Sequence, residues 1–180
     1  MNVMKLIEKS VSSNDELLSI LITHSESVAQ RALQIVKAHP EFDVDSDFIY
    51  EAAMLHDIGI QFCDAPSIAC HGTHPYIEHG FLGAEYLRQL GYPKHALVCE
   101  RHTGTGLTKE MIVLNGWNLP QRDMRPVSLE EQIICYADKF YSKTSLSRCK
   151  TFDEVVKKTA RYGMDAVQQL KDWNVLFSIK

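Results

Sequence analysis

The chain has 180 residues, a formal net charge of −4 at pH 7, 45% hydrophobic residues and 23% charged residues. This length predicts one compact domain over residues 1–180, and the ordinary composition excludes disordered and fibrous proteins. The chain is slightly acidic and has no long Lys or Arg run, which excludes nucleic-acid polymers as partners and favours a small-molecule substrate. It has no stretch of roughly 18 apolar residues, which excludes membranes as partners and predicts a cytoplasmic protein.

The first helical pattern runs over residues 15–38 and is interrupted by polar residues around His24. We therefore predict two helices that meet near His24. The segment FIYEAAMLHDIG has one apolar face and ends in Gly59, a common helix stop, so a helix is expected to deliver His56 and Asp57 at its last turn.

Residues 61–76 are rich in Pro, Gly and small polar residues and are predicted to form a loop. The five cysteines of the chain are scattered, odd in number and without a C-x-x-C pair, which argues against a disulfide framework. Within the loop, Cys63, Cys70, His71 and His74 leave a separate zinc site open, although their spacing matches no compact zinc module. The alternatives are that one of these histidines completes a metal site formed with other segments of the chain, or that it lies near a bound substrate.

Helical spacing resumes over residues 77–91 and places His79 on the first turn of a helix. A short helix starting at Pro93 is expected to reach His102, where a loop rich in Thr and Gly begins at residues 103–106. His102 is therefore predicted to lie at a helix end.

Ser128 and Glu131 form a capping-box pattern at the start of a helix that carries Asp138. The tail over residues 153–180 is predicted to form two further helices and suggests no chemistry. Only short apolar runs such as residues 112–114 fit strands, so the predicted fold class is an all-α helical bundle.

Several predicted helix ends carry a His or an Asp, and a divalent metal ion would satisfy such polar groups if they were buried together. Imidazole and carboxylate ligands suit Fe, Mn, Zn, Co or Mg. Neighbouring helical residues project about 100° apart, so His56 and Asp57 are expected to straddle a cleft. Asp57 is then the natural ligand to bridge two metal ions.

The order of these residues, with the motif H-D-I-G at residues 56–59, resembles the HD-domain phosphohydrolase superfamily over about residues 20–145. Three local matches add to this resemblance: His79 opens HGFLGAEYL, His102 lies in RHTG, and Asp138 lies in YADK. These stretches are similar to those of bacterial HD proteins that hydrolyse dinucleoside tetraphosphates symmetrically, and of uncharacterised HDIG proteins.

The resemblance implies a helical bundle in which one or two divalent metal ions, with dinuclear iron favoured, activate water against a phosphoester or phosphoanhydride of a nucleotide. It implies one metal held by His24, His56, Asp57 and Asp138, and a second held by Asp57, His79 and His102. Asp57 and Lys139 are the implied catalytic residues. The candidate substrate-binding residues are Lys139, Arg101, Thr103, Thr105, Lys109 and His74.

Two departures narrow the expected activity. The tripeptide at residues 91–93 precedes His102 instead of following a pair of histidines, and Arg101 replaces one of that pair, which speaks against cyclic di-GMP hydrolysis. No acidic pair follows the HD motif, which speaks against guanosine-tetraphosphate hydrolysis. A sensor module that binds metal and nucleotide without turnover, a di-iron oxygenase of the same fold, and a homodimer all stay open.

Overall fold

The computed structural model describes residues 2–179, and these form a bundle of α-helices with one small antiparallel strand pair. The strands are β1 (Asp64–Ala65) and β2 (Cys70–His71), paired in the register Asp64 with His71 and Ala65 with Cys70. No helix of residues 2–179 is long and apolar enough to cross a membrane. The helices are α1 (Val3–Ser10), α2 (Asp15–Ala38), α3 (Ser46–Leu55), α4 (His79–Gln89), α5 (Pro93–Arg101), α6 (Lys109–Asn115), α7 (Leu129–Asp138), α8 (Phe152–Thr159) and α9 (Met164–Leu176).

The all-α fold class is confirmed, since the two short strands occupy part of a loop that connects helices. Helix α2 packs against α3 and α7, and α4 packs against α5. The main apolar cluster includes buried side chains from α1 to α5 and from α7 to α9, for example Ile7, Leu21 and Leu170. Each such side chain contributes about 1.5–3 kcal/mol of burial free energy, so this shared core holds the helix ends in place.

Helix α2 is continuous over its 24 residues, and the prediction of two helices meeting near His24 is wrong. His24 and Ser25 are buried in the middle of this helix. Polar residues such as these lower helix propensity by less than about 0.7 kcal/mol each, which packing against α3 and α7 offsets. The break in the apolar pattern therefore marks a polar site inside the bundle.

The H-D-I-G motif follows helix α3, which ends at Leu55. His56 and Asp57 form the turn after it, and residues 58–62 form a 3-10 helix. Gly59 is not a helix stop, because a Cβ there would lie 2.0 Å from the carbonyl oxygen of His79 and 2.4 Å from the amide nitrogen of Gly83. The glycine instead allows the motif to approach the backbone of α4.

The remaining helix predictions agree with the structure except in detail. The run at residues 112–114 lies in α6 and forms no strand. Ser128 caps α7 by accepting a hydrogen bond from the Glu131 amide, but the Glu131 carboxylate accepts from the Val127 amide, so the predicted capping box is only half formed. The tail forms α8 and α9, as expected.

Candidate metal centre

Four helices present their polar side chains to one buried point. His24 comes from the middle of α2, His79 is the first residue of α4, His102 directly follows α5, and Asp138 is the last residue of α7. His56 and Asp57 reach the same point from the turn after α3. All six residues predicted as metal ligands therefore lie together.

The first ligand group contains His24, His56, Asp57 and Asp138, and its donor atoms all lie within 4.8 Å of one another. The His24 Nε2 atom is 3.0 Å from Asp138 Oδ1 and 3.1 Å from Asp57 Oδ2. The His56 Nε2 atom is 3.0 Å from the same Asp57 oxygen. Two imidazoles thus face two carboxylates.

The second ligand group contains Asp57, His79 and His102. Here the other oxygen of the carboxylate takes part, since Asp57 Oδ1 lies 3.4 Å from His79 Nε2 and 3.3 Å from His102 Nε2. The two imidazole Nε2 atoms are 2.9 Å apart. Asp57 therefore divides its two oxygens between the two groups, the arrangement that a bridging ligand requires.

Three of the imidazoles are held in the form that binds metal through Nε2. The Nδ1 atoms of His56, His79 and His102 each donate to a backbone carbonyl three residues earlier, at 2.6 Å, 2.6 Å and 2.7 Å. A proton on Nδ1 leaves the lone pair of a neutral imidazole on Nε2, the atom that faces Asp57. The local backbone thus selects the tautomer and the ring orientation.

Several polar atoms at this point are buried without a hydrogen bond to any residue of the described part of the chain. They are Nδ1 of His24, Nε2 of His56 and both carboxylate oxygens of Asp57, whose contacts at ion-pair distance lack hydrogen-bond geometry. Leaving such atoms unsatisfied is costly. Divalent cations would satisfy these converging lone pairs, so the residues fit a metal centre of imidazole and carboxylate ligands.

Charge also favours cations here. Burial alone would raise the pKa of Asp57, but His56 and Lys143 lower it well below its usual range. Burial alone would lower the pKa of His56, but the carboxylates beside it raise this pKa to about 9. Burial and the neighbouring His102 lower the pKa of His79 to about 3. Positive charge is favoured in the first group, and the second group keeps neutral imidazoles.

Two lysines reach the carboxylates of the centre. The Lys139 ammonium lies 2.8 Å from Asp138 Oδ2 and donates to the carbonyl oxygen of His102 at 2.9 Å. The Lys143 ammonium lies 2.5 Å from Asp57 Oδ2. Lys143 could not be predicted from the sequence, because this residue follows α7 in an irregular segment that carries no motif or periodicity.

A cavity of about 330 Å³ opens above the centre. Two of the six predicted substrate-binding residues, Thr103 and Lys139, line its wall. The other four lie elsewhere. Thr105 is buried, Lys109 begins α6, and His74 contacts the Glu78 carboxylate at 2.8 Å. The Arg101 guanidinium contacts both oxygens of Glu131, at 3.1 Å and 3.0 Å.

We expect Arg101→Gln to leave substrate KM within about twofold of wild type and to lower the free energy of unfolding by about 1–3 kcal/mol. The reason is that it removes the charged partner of the buried Glu131 carboxylate. Denaturant unfolding and steady-state kinetics measure the two effects. A large rise in KM with unchanged stability would instead place Arg101 at the substrate.

The separate zinc site left open by the sequence finds no support in the structure. Of the residues described, only the two groups around Asp57 bring three metal-binding side chains together, and neither includes Cys63, Cys70, His71 or His74. The Cys63 thiol donates to the carbonyl of Gly59, and His71 is exposed on β2.

Comparisons with known proteins relate this chain to one domain family. The model of the HD domain family matches residues 21–142. An uncharacterized protein of Methanocaldococcus jannaschii is 36% identical over 155 residues, which cover 84% of this chain and 82% of that protein. A tRNA (cytidine(56)-2'-O)-methyltransferase of Picrophilus torridus is 30% identical over 146 residues, which cover 81% of this chain but only 37% of the methyltransferase.

The fold agrees with a solved structure. The HD domain of the phosphodiesterase PgpH of L. monocytogenes, crystallised with cyclic-di-AMP, has a TM-score of 0.54 and 16% identity, with 98% of each chain covered. At this identity the likeness shows the fold alone. The more specific similarity to symmetrical dinucleoside-tetraphosphate hydrolases stays a prediction.

The model of the HD domain family covers more than half of the chain. The chain therefore belongs to the HD domain family and, with it, to the metal-dependent phosphohydrolases of the HD superfamily.

Proposed function

We propose that this protein hydrolyses a phosphoester or phosphoanhydride of a nucleotide by means of two divalent metal ions. The observation that carries the proposal is the buried Asp57 carboxylate, whose two oxygens face two separate groups of ligands. Both groups border one cavity, through His24 and Asp138 on one side and His79 and His102 on the other. A phosphoryl group in this cavity would contact both halves of the centre.

Divalent ions in these groups supply an activated water and neutralise charge on phosphoryl oxygens. The protein itself orients the reacting groups. Asp57 is held by imidazoles on both sides, and Lys139 is fixed by Asp138 and by the His102 carbonyl. The Lys139 side chain lines the cavity, so its ammonium can donate to a phosphate oxygen as negative charge develops there. Asp57 and Lys139 are our proposed catalytic residues.

A groove beside the centre supports a nucleotide as the substrate. It has a volume of about 580 Å³ and shares His79 and Thr103 with the cavity of the centre. Trp117 and Tyr162 lie in its wall, and stacking on such side chains stabilises a bound base by about 1–3 kcal/mol. The solved HD domain of PgpH, a protein of the same fold, was crystallised with a small nucleotide, cyclic-di-AMP.

Dinucleoside polyphosphates come first among the nucleotides we propose, because the motif stretches around His79, His102 and Asp138 resemble hydrolases of that class. Methyl transfer to tRNA is not inferred, since the match covers only 37% of the methyltransferase. Iron is the metal that the family resemblance favours, and Mn, Zn, Co and Mg suit the same ligands.

Elemental analysis of protein purified without chelators tests the proposal, together with phosphate release from a panel of nucleotides. We expect close to two metal ions per chain and release of phosphate that stops after chelation and returns after reloading. Tight nucleotide binding without turnover of any phosphorylated compound would favour the sensor module. Iron together with oxygen consumption, and no hydrolysis, would favour the oxygenase.

A further inference from the structure

The cavity above the metal centre has one strongly cationic side, which we call the cationic wall and define as Lys143, Lys150, Lys158 and Arg161. These residues come from the segment after α7, from α8 and from the 3-10 turn that follows α8. Among the described residues that line the cavity, the only carboxylate is Asp138. In a chain with a net charge of −4, this concentration of cations at one cavity creates a local field that attracts anions.

Lys150 is held in the wall by two backbone carbonyls. Its ammonium donates to the carbonyl oxygen of Lys139 at 3.0 Å and also to that of Tyr141. An ammonium has three N–H donors, so one remains for a ligand in the cavity. Burial, together with the nearby Lys158, Lys139 and Lys143, lowers the pKa of Lys150 to about 8 although Asp138 opposes this. The cations are therefore close enough to repel one another.

The carboxylates of the metal centre account for only part of this positive charge. Lys139 and Lys143 lie against Asp138 and Asp57, but within residues 2–179 neither Lys150 nor Lys158 contacts a carboxylate at ion-pair distance. Neighbouring ammonium groups repel one another, and a bound anion would offset this repulsion. A phosphate group bound there would form charge-assisted hydrogen bonds, which are stronger than neutral ones.

We infer that Lys150 and Lys158 form a second phosphate subsite, which holds a phosphate group of the substrate other than the one attacked at the metal centre. This inference rests on the proposed function and narrows it to substrates with at least two phosphate groups, the class to which nucleoside and dinucleoside polyphosphates belong. Hydrolysis of such an anhydride forms a bond from a water oxygen to phosphorus and breaks the bond from phosphorus to the bridging oxygen. The leaving phosphate takes the proton and is already held by the wall.

The test compares binding of inorganic tripolyphosphate with binding of orthophosphate to the metal-loaded protein by titration calorimetry. The variants are Lys150→Gln and Lys158→Gln, and the matched control is Lys171→Gln, which makes the same charge change at an exposed residue of α9 outside the cavity. Any removal of metal by tripolyphosphate acts equally on the control. Lys158 is itself exposed, so its replacement leaves folding intact.

We expect each cavity variant to weaken tripolyphosphate binding at least tenfold, to change orthophosphate binding less than twofold, and to leave the control unchanged. An equal loss for both anions, or no loss for either, would overturn the inference. Lys150→Arg keeps the charge and should retain at least half of the wild-type affinity; its failure to do so would assign Lys150 a structural role instead. Since binding is measured without turnover, a selective loss in a protein with no hydrolytic activity would support the subsite and refute the proposed function.

Discussion

Asp57→Ala should lose both metal ions and lower kcat/KM by at least about 1000-fold. These three factors of ten correspond to three losses of about 1.4 kcal/mol in transition-state stabilisation. The physical reason is that Asp57 is the one residue shared by both ligand groups. Elemental analysis and phosphate release measured on the same samples test this expectation. Asp57→Asn keeps the side-chain volume and should behave in the same way, which separates loss of charge from loss of packing.

His79→Ala is the matched comparison for Asp57→Ala, because His79 belongs to the second ligand group alone. We expect it to keep about one metal ion per chain, since the four ligands of the first group would still suffice for a divalent ion. Retention of both metal ions by Asp57→Ala would rule out a bridging carboxylate. Equal loss of metal from both variants would indicate a single mixed site.

The second large effect concerns stability. We expect Gly59→Ala to lower the free energy of unfolding by at least about 3 kcal/mol, at the upper end of overpacking effects. A Cβ at this residue would lie 2.0 Å from the carbonyl oxygen of His79, a backbone atom that cannot move alone. The melting temperature should fall by roughly 2–4 °C for each kcal/mol in a protein of this size. Thermal and denaturant unfolding measure both quantities.

Gly116→Ala serves as the control for Gly59→Ala. Gly116 ends α6 with a φ of +62°, and a Cβ there would meet nothing within 4 Å. Only the left-handed backbone is then strained, at a cost of about 1–2 kcal/mol. A Gly59→Ala protein as stable as the Gly116→Ala protein would show that the 58–62 turn can withdraw from α4, contrary to the close packing described above.

The packing of Gly59 affects the candidate metal centre as well as the stability of the fold. The last residue of the H-D-I-G motif is placed against α4, whose first residue is the candidate ligand His79. We therefore expect any shift of this contact to separate the second ligand group from Asp57. Metal content measured on folded Gly59→Ala at low temperature reports this separation directly.

The helical class could be predicted from the sequence because it depends on local patterns, and the six candidate ligands could be named from the motifs that resemble the HD family. Apolar residues at helical spacing indicate which segments are helices, and His or Asp at the ends of such segments indicates side chains that need a common partner. The H-D-I-G motif, together with His79, His102 and Asp138, resembles a metal-dependent family and so predicts that this partner is a metal ion. The structure brings these side chains together around Asp57.

The tertiary structure decided what depends on distant contacts. Helix α2 is continuous because packing against α3 and α7 outweighs the polar break at His24. Arg101 turns to Glu131, although its place in the chain beside His102 suggested the substrate. Lys143 reaches the centre, and Lys150 the cavity above it, from an irregular segment where no periodicity shows which way a side chain points. The motifs in the sequence thus named the candidate ligands, and only the packed fold determined that they lie together and which cations surround them.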